Sequence, residues 1–288
     1  MMAGMLVRYL FPLISAVLFL PQCASSYLVR ETGIKGNVTG RYVVKKDIIF
    51  TPPLWPAPVM GDLYQPVGAK AAPAILLIHG GGWTGSDGRW QMVPIAKQLV
   101  KRGYVVFNVT YRLAPRWLYP APVDDLREAV KWMRSHAAEQ GIDPERVAVF
   151  GYSAGGHLAA LTGFNQELKL RAIVAGGTPS DLYLFPGGDL VPQFLGGTRQ
   201  EIPQRFREAS PVNHITSSSP PVFIYHGGAD KLVPPEHAWA FSAALAKHHV
   251  EHELFWLPHR DHIPAFLLPG RSVVGAMNFL GRHLQQRQ

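Results

Sequence analysis

Gly151-Tyr152-Ser153-Ala154-Gly155-Gly156 follows the apolar run Val147 to Phe150 and precedes a stretch with helical character. A serine between two glycines at this spacing, set between a strand and a helix, is the pattern of a nucleophile on a sharp turn. The chemistry explains the residue types. Strand and helix backbones approach closely at such a turn, so the neighbours must have little or no side chain. The turn lifts the hydroxyl above the sheet, and the helix amino terminus points N–H groups at the same place.

A second glycine cluster, His79-Gly80-Gly81-Gly82-Trp83, follows the run Ala74 to Ile78. Acyl transfer passes through a tetrahedral oxyanion, which preorganised N–H donors stabilise. Gly81 and Gly82 are the candidate donors, with Ala154, the residue after the serine, as the third. The same segment also reads Gly80-x-Gly82-x-x-Gly85, a fragment of a dinucleotide fingerprint. That template needs an acid near the end of the next strand and a helix opening on the glycines. The next strand ends Phe107-Asn108-Val109-Thr110, and Ser86-Asp87-Gly88 interrupts the helix. No nucleotide cofactor is expected.

A serine hydroxyl is a weak nucleophile without a base, and the base needs an orienting acid. Asp230 is the one acid in the loop after Val222 to Tyr225. Pro258-His259-Arg260-Asp261-His262 follows the last strand candidate, Glu253 to Leu257. His259 and His262 both qualify as the base. Ser153, Asp230, His262 would be the nucleophile–acid–base order of an α/β scaffold of this kind.

These groups need a scaffold that carries them on strand ends. Ala74 to Ile78, Tyr104 to Val109, Val147 to Phe150, Ala172 to Ala175 and Val222 to Tyr225 are short apolar runs without alternation. Strands buried on both faces look like this. Helical stretches separate them. Ile95, Leu99 and Val100 share a face, as do Val123, Leu126, Val130 and Met133, and Ala238 to Lys247 is a further helix. Strands alternating with helices predict a mostly parallel central sheet with helices on both faces, and functional loops at the carboxyl ends of the strands. Tyr42 to Phe50 should pair with a short strand around Asp62 to Tyr64. Asp124 and Asp125 read as first-turn acids placed by the helix dipole. His157 reads as a packed or hydrogen-bonded side chain. His248, His249 and His252 straddle a helix end and read as surface residues, so no metal site is expected.

The chain has 288 residues, 28 Lys and Arg against 20 Asp and Glu, and one cysteine. A 47% apolar and 17% charged composition excludes disorder. The formal charge of +8 forms no cluster longer than the pairs Lys45-Lys46 and Lys101-Arg102, so nucleic acid is not an expected partner. Residues 1–23 read as an export leader: a basic start, an uncharged run from Tyr9 to Leu20, then small residues. That run is too short to span a bilayer. Leu20, Cys23, Ala24 and Ser25 resemble a bacterial lipoprotein signal, although Gln22 stands where that signal prefers a small residue. Lipid attachment at Cys23, cleavage near Ala24 to Ser26, and an uncleaved anchor are the three outcomes. The expected location is the periplasm, or a membrane-anchored lipoprotein, of a bacterium. Residues 24–41 would be a linker and 42–288 the catalytic domain.

The motifs at His79 to Trp83, Tyr111-Arg112-Leu113, Gly151 to Gly156 and the Asp230 loop together resemble the esterase branch of the α/β-hydrolases. That branch includes hormone-sensitive-lipase-like esterases, kynurenine formamidases and some carbohydrate-ester esterases. The resemblance, from about Tyr42 onward, implies an α/β-hydrolase fold and cofactor-free hydrolysis of an ester or amide. It puts Ser153, Asp230 and His262 at the triad positions and Gly81, Gly82 and Ala154 at the oxyanion hole. The family usually has glycine before the catalytic histidine. Here Asp261 stands there, where it could compete for the imidazole. Ser180 to Ser219 would form the pocket wall, too short for a large lid domain, and suited to small acyl or aryl esters. Aryl-formamides and carbohydrate esters are the alternative substrates. A hydrolase-fold protein that binds without cleaving is the alternative outside catalysis.

Overall fold

The computed structural model describes residues 40–284. The leader, Cys23 and nearly all of the linker lie outside them. The strands and helices begin, in chain order, with β1 (Tyr42–Ile49), β2 (Met60–Pro66), β3 (Ala72–Ile78), α1 (Arg89–Val100), β4 (Val105–Val109), α2 (Ala121–Ser135), β5 (Ile142–Tyr152), α3 (Ala154–Gly163) and β6 (Ile173–Gly176). Then come α4 (Leu190–Leu195), α5 (Pro203–Glu208), β7 (Val222–Gly227), α6 (Glu236–Lys247), β8 (His252–Leu257), α7 (His262–Leu267) and α8 (Ser272–His283).

The strands form one eight-stranded sheet in the order β1-β2-β4-β3-β5-β6-β7-β8. Only the β1–β2 and β2–β4 pairs are antiparallel. From β4 to β8 every pair is parallel. The expected hairpin of Tyr42 to Phe50 with Asp62 to Tyr64 is the β1–β2 pair, extended at both ends of the second strand. The apolar runs became strands because both faces of the sheet are covered. Leu76 and Ile78 join one buried cluster with Leu126, Leu158 and Phe241, from α2, α3 and α6. Ile75 and Leu77 join the other, with Leu99 and Met277 from α1 and α8. Alternate residues of one run thus enter opposite layers.

The parallel register brings the strand ends level. Ile78 pairs with Gly151, Tyr152 with Gly176, Gly176 with Tyr225, and Gly227 with Leu257. The loops that follow β3, β5, β7 and β8 therefore open on one edge. The Ser180 to Ser219 segment is not a plain loop. It holds α4 and α5, of six residues each, and single turns at Leu182–Leu184 and Pro211–His214. It adds a wall and no large lid.

Asp125 differs from the sequence reading. It is not a dipole partner but a buried acceptor. Its carboxylate takes hydrogen bonds from the Arg112 backbone N–H at 2.7 Å, the Arg112 guanidinium at 2.8 Å and the Trp55 indole at 2.7 Å. Arg112 lies between the rings of Trp55 and Trp117, 5.3 and 5.2 Å from their centroids. An unpaired charge at such depth would be strongly destabilising, so the pair and its aromatic faces belong together. Asp124, which does sit in the first turn, pairs with Arg127 at 3.0 Å.

Candidate active site

Ser153 lies between the last residue of β5 and the first of α3, with φ 56° and ψ −125°. That conformation is costly for a residue with a Cβ, by about 1–3 kcal/mol. Two backbone bonds hold it: Ser153 N–H donates to Gly176 C=O at 2.7 Å, and His157 N–H donates to Ser153 C=O at 2.9 Å. The flanking glycines are demanded by contact. A Cβ on Gly151 would strike the Gly155 carbonyl, and one on Gly155 would strike the carbonyls of Ile78 and His79.

The Ser153 hydroxyl donates to His262 Nε2 at 2.8 Å. His262 Nδ1 in turn donates to Asp230 Oδ2 at 2.7 Å. Asp230 is 3% exposed, and its Oδ1 accepts the backbone N–H groups of Leu232 and Val233 at 3.0 and 2.8 Å. The carboxylate is thus fixed on both oxygens and can orient one imidazole tautomer. His226 approaches the same carboxylate at 3.6 Å, but its Nε2 donates to Val233 C=O at 2.9 Å. Burial lowers the His226 pKa, so it adds no cation to the dyad.

His262 opens α7. Asp261, the residue that departs from the family pattern, caps that helix and does not touch the ring. Its Oδ1 accepts the N–H of His262 at 2.7 Å and the N–H of Lys231 at 3.0 Å. It therefore joins the loop after β8 to the loop after β7 instead of competing for the imidazole. Tyr152 supplies a second tie, its hydroxyl donating to His262 C=O at 2.7 Å. His259 is exposed and does not line the cavity.

Gly81, Gly82 and Trp83 have φ of 114°, 60° and 62°, a tight turn closed by Thr84 N–H donating to Gly81 C=O at 3.1 Å. Gly81, Gly82 and Ala154 line the same cavity as Ser153. Ala154 is the first residue of α3, so its N–H has no acceptor within the helix. His79 secures the turn from beneath: Nδ1 donates to Gly80 C=O at 2.6 Å and Nε2 accepts from Gly88 N–H at 3.3 Å. Burial lowers its pKa, which matches a ring that must accept through one nitrogen. His157 is fully buried. Its Nδ1 accepts from the Trp83 indole at 3.1 Å, and its Nε2 donates to Ala209 C=O at 2.7 Å. Burial pushes its pKa down to about 4. Of the packed or hydrogen-bonded side chain expected, the structure shows both. The partner it bonds was not legible in the sequence.

The cavity above these groups has a volume of about 880 Å³. Phe185, Leu190, Val191, Leu232, Ile263 and Phe266 give it an apolar lining. Leu190 lies directly on the Gly81–Trp83 turn: a Cβ on Gly82 would stand 3.1 Å from its nearest methyl. Trp90, Ile263 and Leu267 form an exposed apolar rim, at 73, 56 and 66%. No group of three or more His, Cys, Asp or Glu among the described residues is arranged to hold a metal ion. His252, of the histidine run considered above, accepts from Ser242 Oγ at 2.9 Å.

A serine, an imidazole and a carboxylate in sequence, with a glycine turn and a helix amino terminus lining the same cavity, can carry out nucleophilic acyl transfer. Proteins named as esterases are among those this chain resembles. The BD-FAE family model matches residues 61–245. Esterase LipQ of Mycobacterium tuberculosis is 30% identical over 194 residues, 61% of this chain and 46% of that protein. The chain spans about half the length of the curated relatives it matches. Among solved structures, esterase 2 of Thermogutta terrifontis superposes with a TM-score of 0.71 at 26% identity, over 87% of this chain and 96% of that one. An acetyl ester-xyloside bifunctional hydrolase from Caldicellulosiruptor lactoaceticus superposes with a TM-score of 0.73 at 26% identity, over 84 and 96%.

Proposed function

Because this chain belongs to the BD-FAE family and has the α/β-hydrolase fold, we propose that it is a serine hydrolase that cleaves carboxylic esters through an acyl-enzyme. The observation that carries this reading is the continuous relay from Ser153 Oγ through His262 to Asp230, with links of 2.8 and 2.7 Å. His262 takes the serine proton as Oγ attacks the ester carbonyl. The N–H groups of Gly81, Gly82 and Ala154 hold the oxyanion. The same imidazole then protonates the departing alcohol, and water repeats the sequence on the acyl-enzyme. Asp230 keeps the proton on Nδ1 and stabilises the imidazolium that forms. No step calls for a cofactor.

The apolar lining supports small acyl or aryl esters as substrates. Buried hydrocarbon contributes about 0.8 kcal/mol per methylene, which an all-polar substrate would forgo. A carbohydrate ester is the second reading. It is favoured by the likeness to the acetyl ester-xyloside hydrolase and by Trp90, whose exposed ring at the rim can stack on a sugar.

Ser153→Ala tests the reaction itself. Hydrolysis of p-nitrophenyl butyrate should fall at least about 10³-fold while the circular dichroism spectrum stays native. A fluorophosphonate probe should label the native protein and not the variant. Turnover retained by the variant, or no labelling of the native protein, rejects the assignment and leaves a binding protein on a hydrolase scaffold. A panel of p-nitrophenyl esters, N-formyl arylamines and acetylated xylose ranks the substrate classes.

We also place the site of action outside the cytoplasm. The sequence of residues 1–23 supports that, with Cys23 as a lipid attachment point. No helix among the described residues is long and apolar enough to cross a membrane. Mass spectrometry of the mature amino terminus separates lipidation, plain cleavage and an uncleaved leader.

A further inference from the structure

The oxyanion donors come from two separate parts of the chain. Ala154 belongs to the nucleophile helix, whereas Gly81 and Gly82 belong to the loop after β3. For three N–H groups to converge on one oxygen, these parts must be held in register. Neither the sheet nor the glycines do this alone, because the loop leaves the sheet at Ile78 and then turns three times through positive φ.

His157 touches both parts. Its backbone N–H donates to Ser153 C=O at 2.9 Å. That carbonyl and the Ala154 N–H belong to one planar peptide, so fixing the carbonyl fixes the direction of the N–H. Any residue except proline could supply that bond. The imidazole supplies the other one. Its Nδ1 accepts the indole N–H of Trp83 at 3.1 Å, and Trp83 directly follows Gly82. Its Nε2 donates to Ala209 C=O at 2.7 Å, so both ring nitrogens are used and only the neutral ring with the proton on Nε2 fits. Trp83 is also held at its own carbonyl, by Ala114 N–H at 2.9 Å. Phe194 of the pocket wall stacks on Trp83 (4.7 Å, 13°) and meets His157 edge-on (5.6 Å, 85°).

We propose that His157 is a positioning residue for the oxyanion hole, its imidazole holding the Gly81-Gly82-Trp83 turn in register with the Ala154 N–H. This rests on reading those three residues as the oxyanion donors. Burial of the ring, with its pKa near 4, keeps it neutral across the neutral pH range. The oxyanion of the transition state is bound more tightly than the ground-state carbonyl, so misplaced donors cost kcat and leave KM nearly unchanged. A filler of the core would instead affect stability alone.

The experiment compares His157→Leu, His157→Asn, Trp83→Phe and the Trp83→Phe/His157→Leu double variant with the native protein. The readouts are kcat and KM for p-nitrophenyl butyrate, the inhibition constant of an alkyl trifluoromethyl ketone, and the urea midpoint. His157→Leu and Trp83→Phe should each lower kcat about 10- to 100-fold with KM within about threefold. The ketone, which forms a tetrahedral adduct on the serine, should weaken by a similar factor. His157→Asn, whose amide oxygen can stand near the Nδ1 position, should recover part of the loss. The double variant should be no worse than the worse single one, because both break the same bond. Folded His157→Leu and Trp83→Phe variants with kcat within twofold of native, or single losses that multiply in the double, overturn the inference. If His157→Leu does not fold, Trp83→Phe decides by the same kcat criterion. A native protein that fails to react with a fluorophosphonate overturns the hydrolase reading and this inference together. A reactive native protein with undiminished variants overturns this inference alone.

Discussion

On the floor of the cavity every candidate reactive group follows a parallel strand: Gly81 and Gly82 follow β3, Ser153 follows β5, Asp230 follows β7 and His262 follows β8. The wall has no strand. Between β6 and β7 it consists of two six-residue helices and single turns. It is tied down by side chains such as Ser210, whose hydroxyl donates to Phe206 C=O at 2.7 Å and accepts from Leu182 N–H at 2.9 Å. Floor groups are therefore placed by sheet register, which tolerates almost no displacement. Wall residues are placed by local contacts, which can be changed one at a time. The difference separates chemistry, which needs sub-ångström placement, from specificity, which needs only shape.

The largest effect that can break this division lies in the base loop. His262→Ala should lower kcat about 10³-fold or more, whereas His259→Ala should leave it within about twofold, measured on p-nitrophenyl butyrate. Comparable losses in both would mean that the strand end does not select the base. A smaller effect is expected at the tie between the two floor loops. Asp261→Ala removes an acceptor from two backbone N–H groups and should cost about 1 kcal/mol in urea unfolding, with kcat down by up to about tenfold. An unchanged kcat together with lost stability would make Asp261 a helix cap and no more. The smallest effect is on the wall. Leu190→Ala should raise KM for butyrate about three- to tenfold with kcat within about threefold, since three carbons of the apolar cavity lining are removed. Because Leu190 rests on Gly82, a kcat loss of a hundredfold would show that wall and floor are not separable.

The floor was legible because its constraints are written in residue type. Glycine is required where Gly151 and Gly155 meet neighbouring carbonyls, and continuous apolar runs are required where strands are covered on both sides. Ser153, Asp230 and His262 could be named in advance, and the fold brings them within hydrogen-bond distance. His259 stayed open in the sequence because two imidazoles three residues apart differ in nothing but the turn between them. The role of Asp261 was hidden for a related reason: a helix of six residues has too little periodicity to be read, and its cap cannot be seen without it. Asp125 was placed in the first turn of α2, but its partners Arg112 and Trp55 come from other loops, and only tertiary structure brings them together. The amphipathic spacing of Val273, Ala276, Met277 and Leu280 is a signal for α8 that the sequence reading left unused.

The Ser153–His262 bond joins residues 109 positions apart, and His262 follows a strand at the very edge of the sheet. The contact closes one of the longer loops in the molecule, of the kind that forms late in folding. A chain that has emerged only through the loop after β7 already carries the candidate serine, glycine turns and acid, yet it lacks the candidate base. On the proposed mechanism such an intermediate is chemically mute, and activity is expected only once β8 docks and α7 winds. Recovery of turnover during refolding is therefore a clock for the final assembly step, running behind any signal from the central strands.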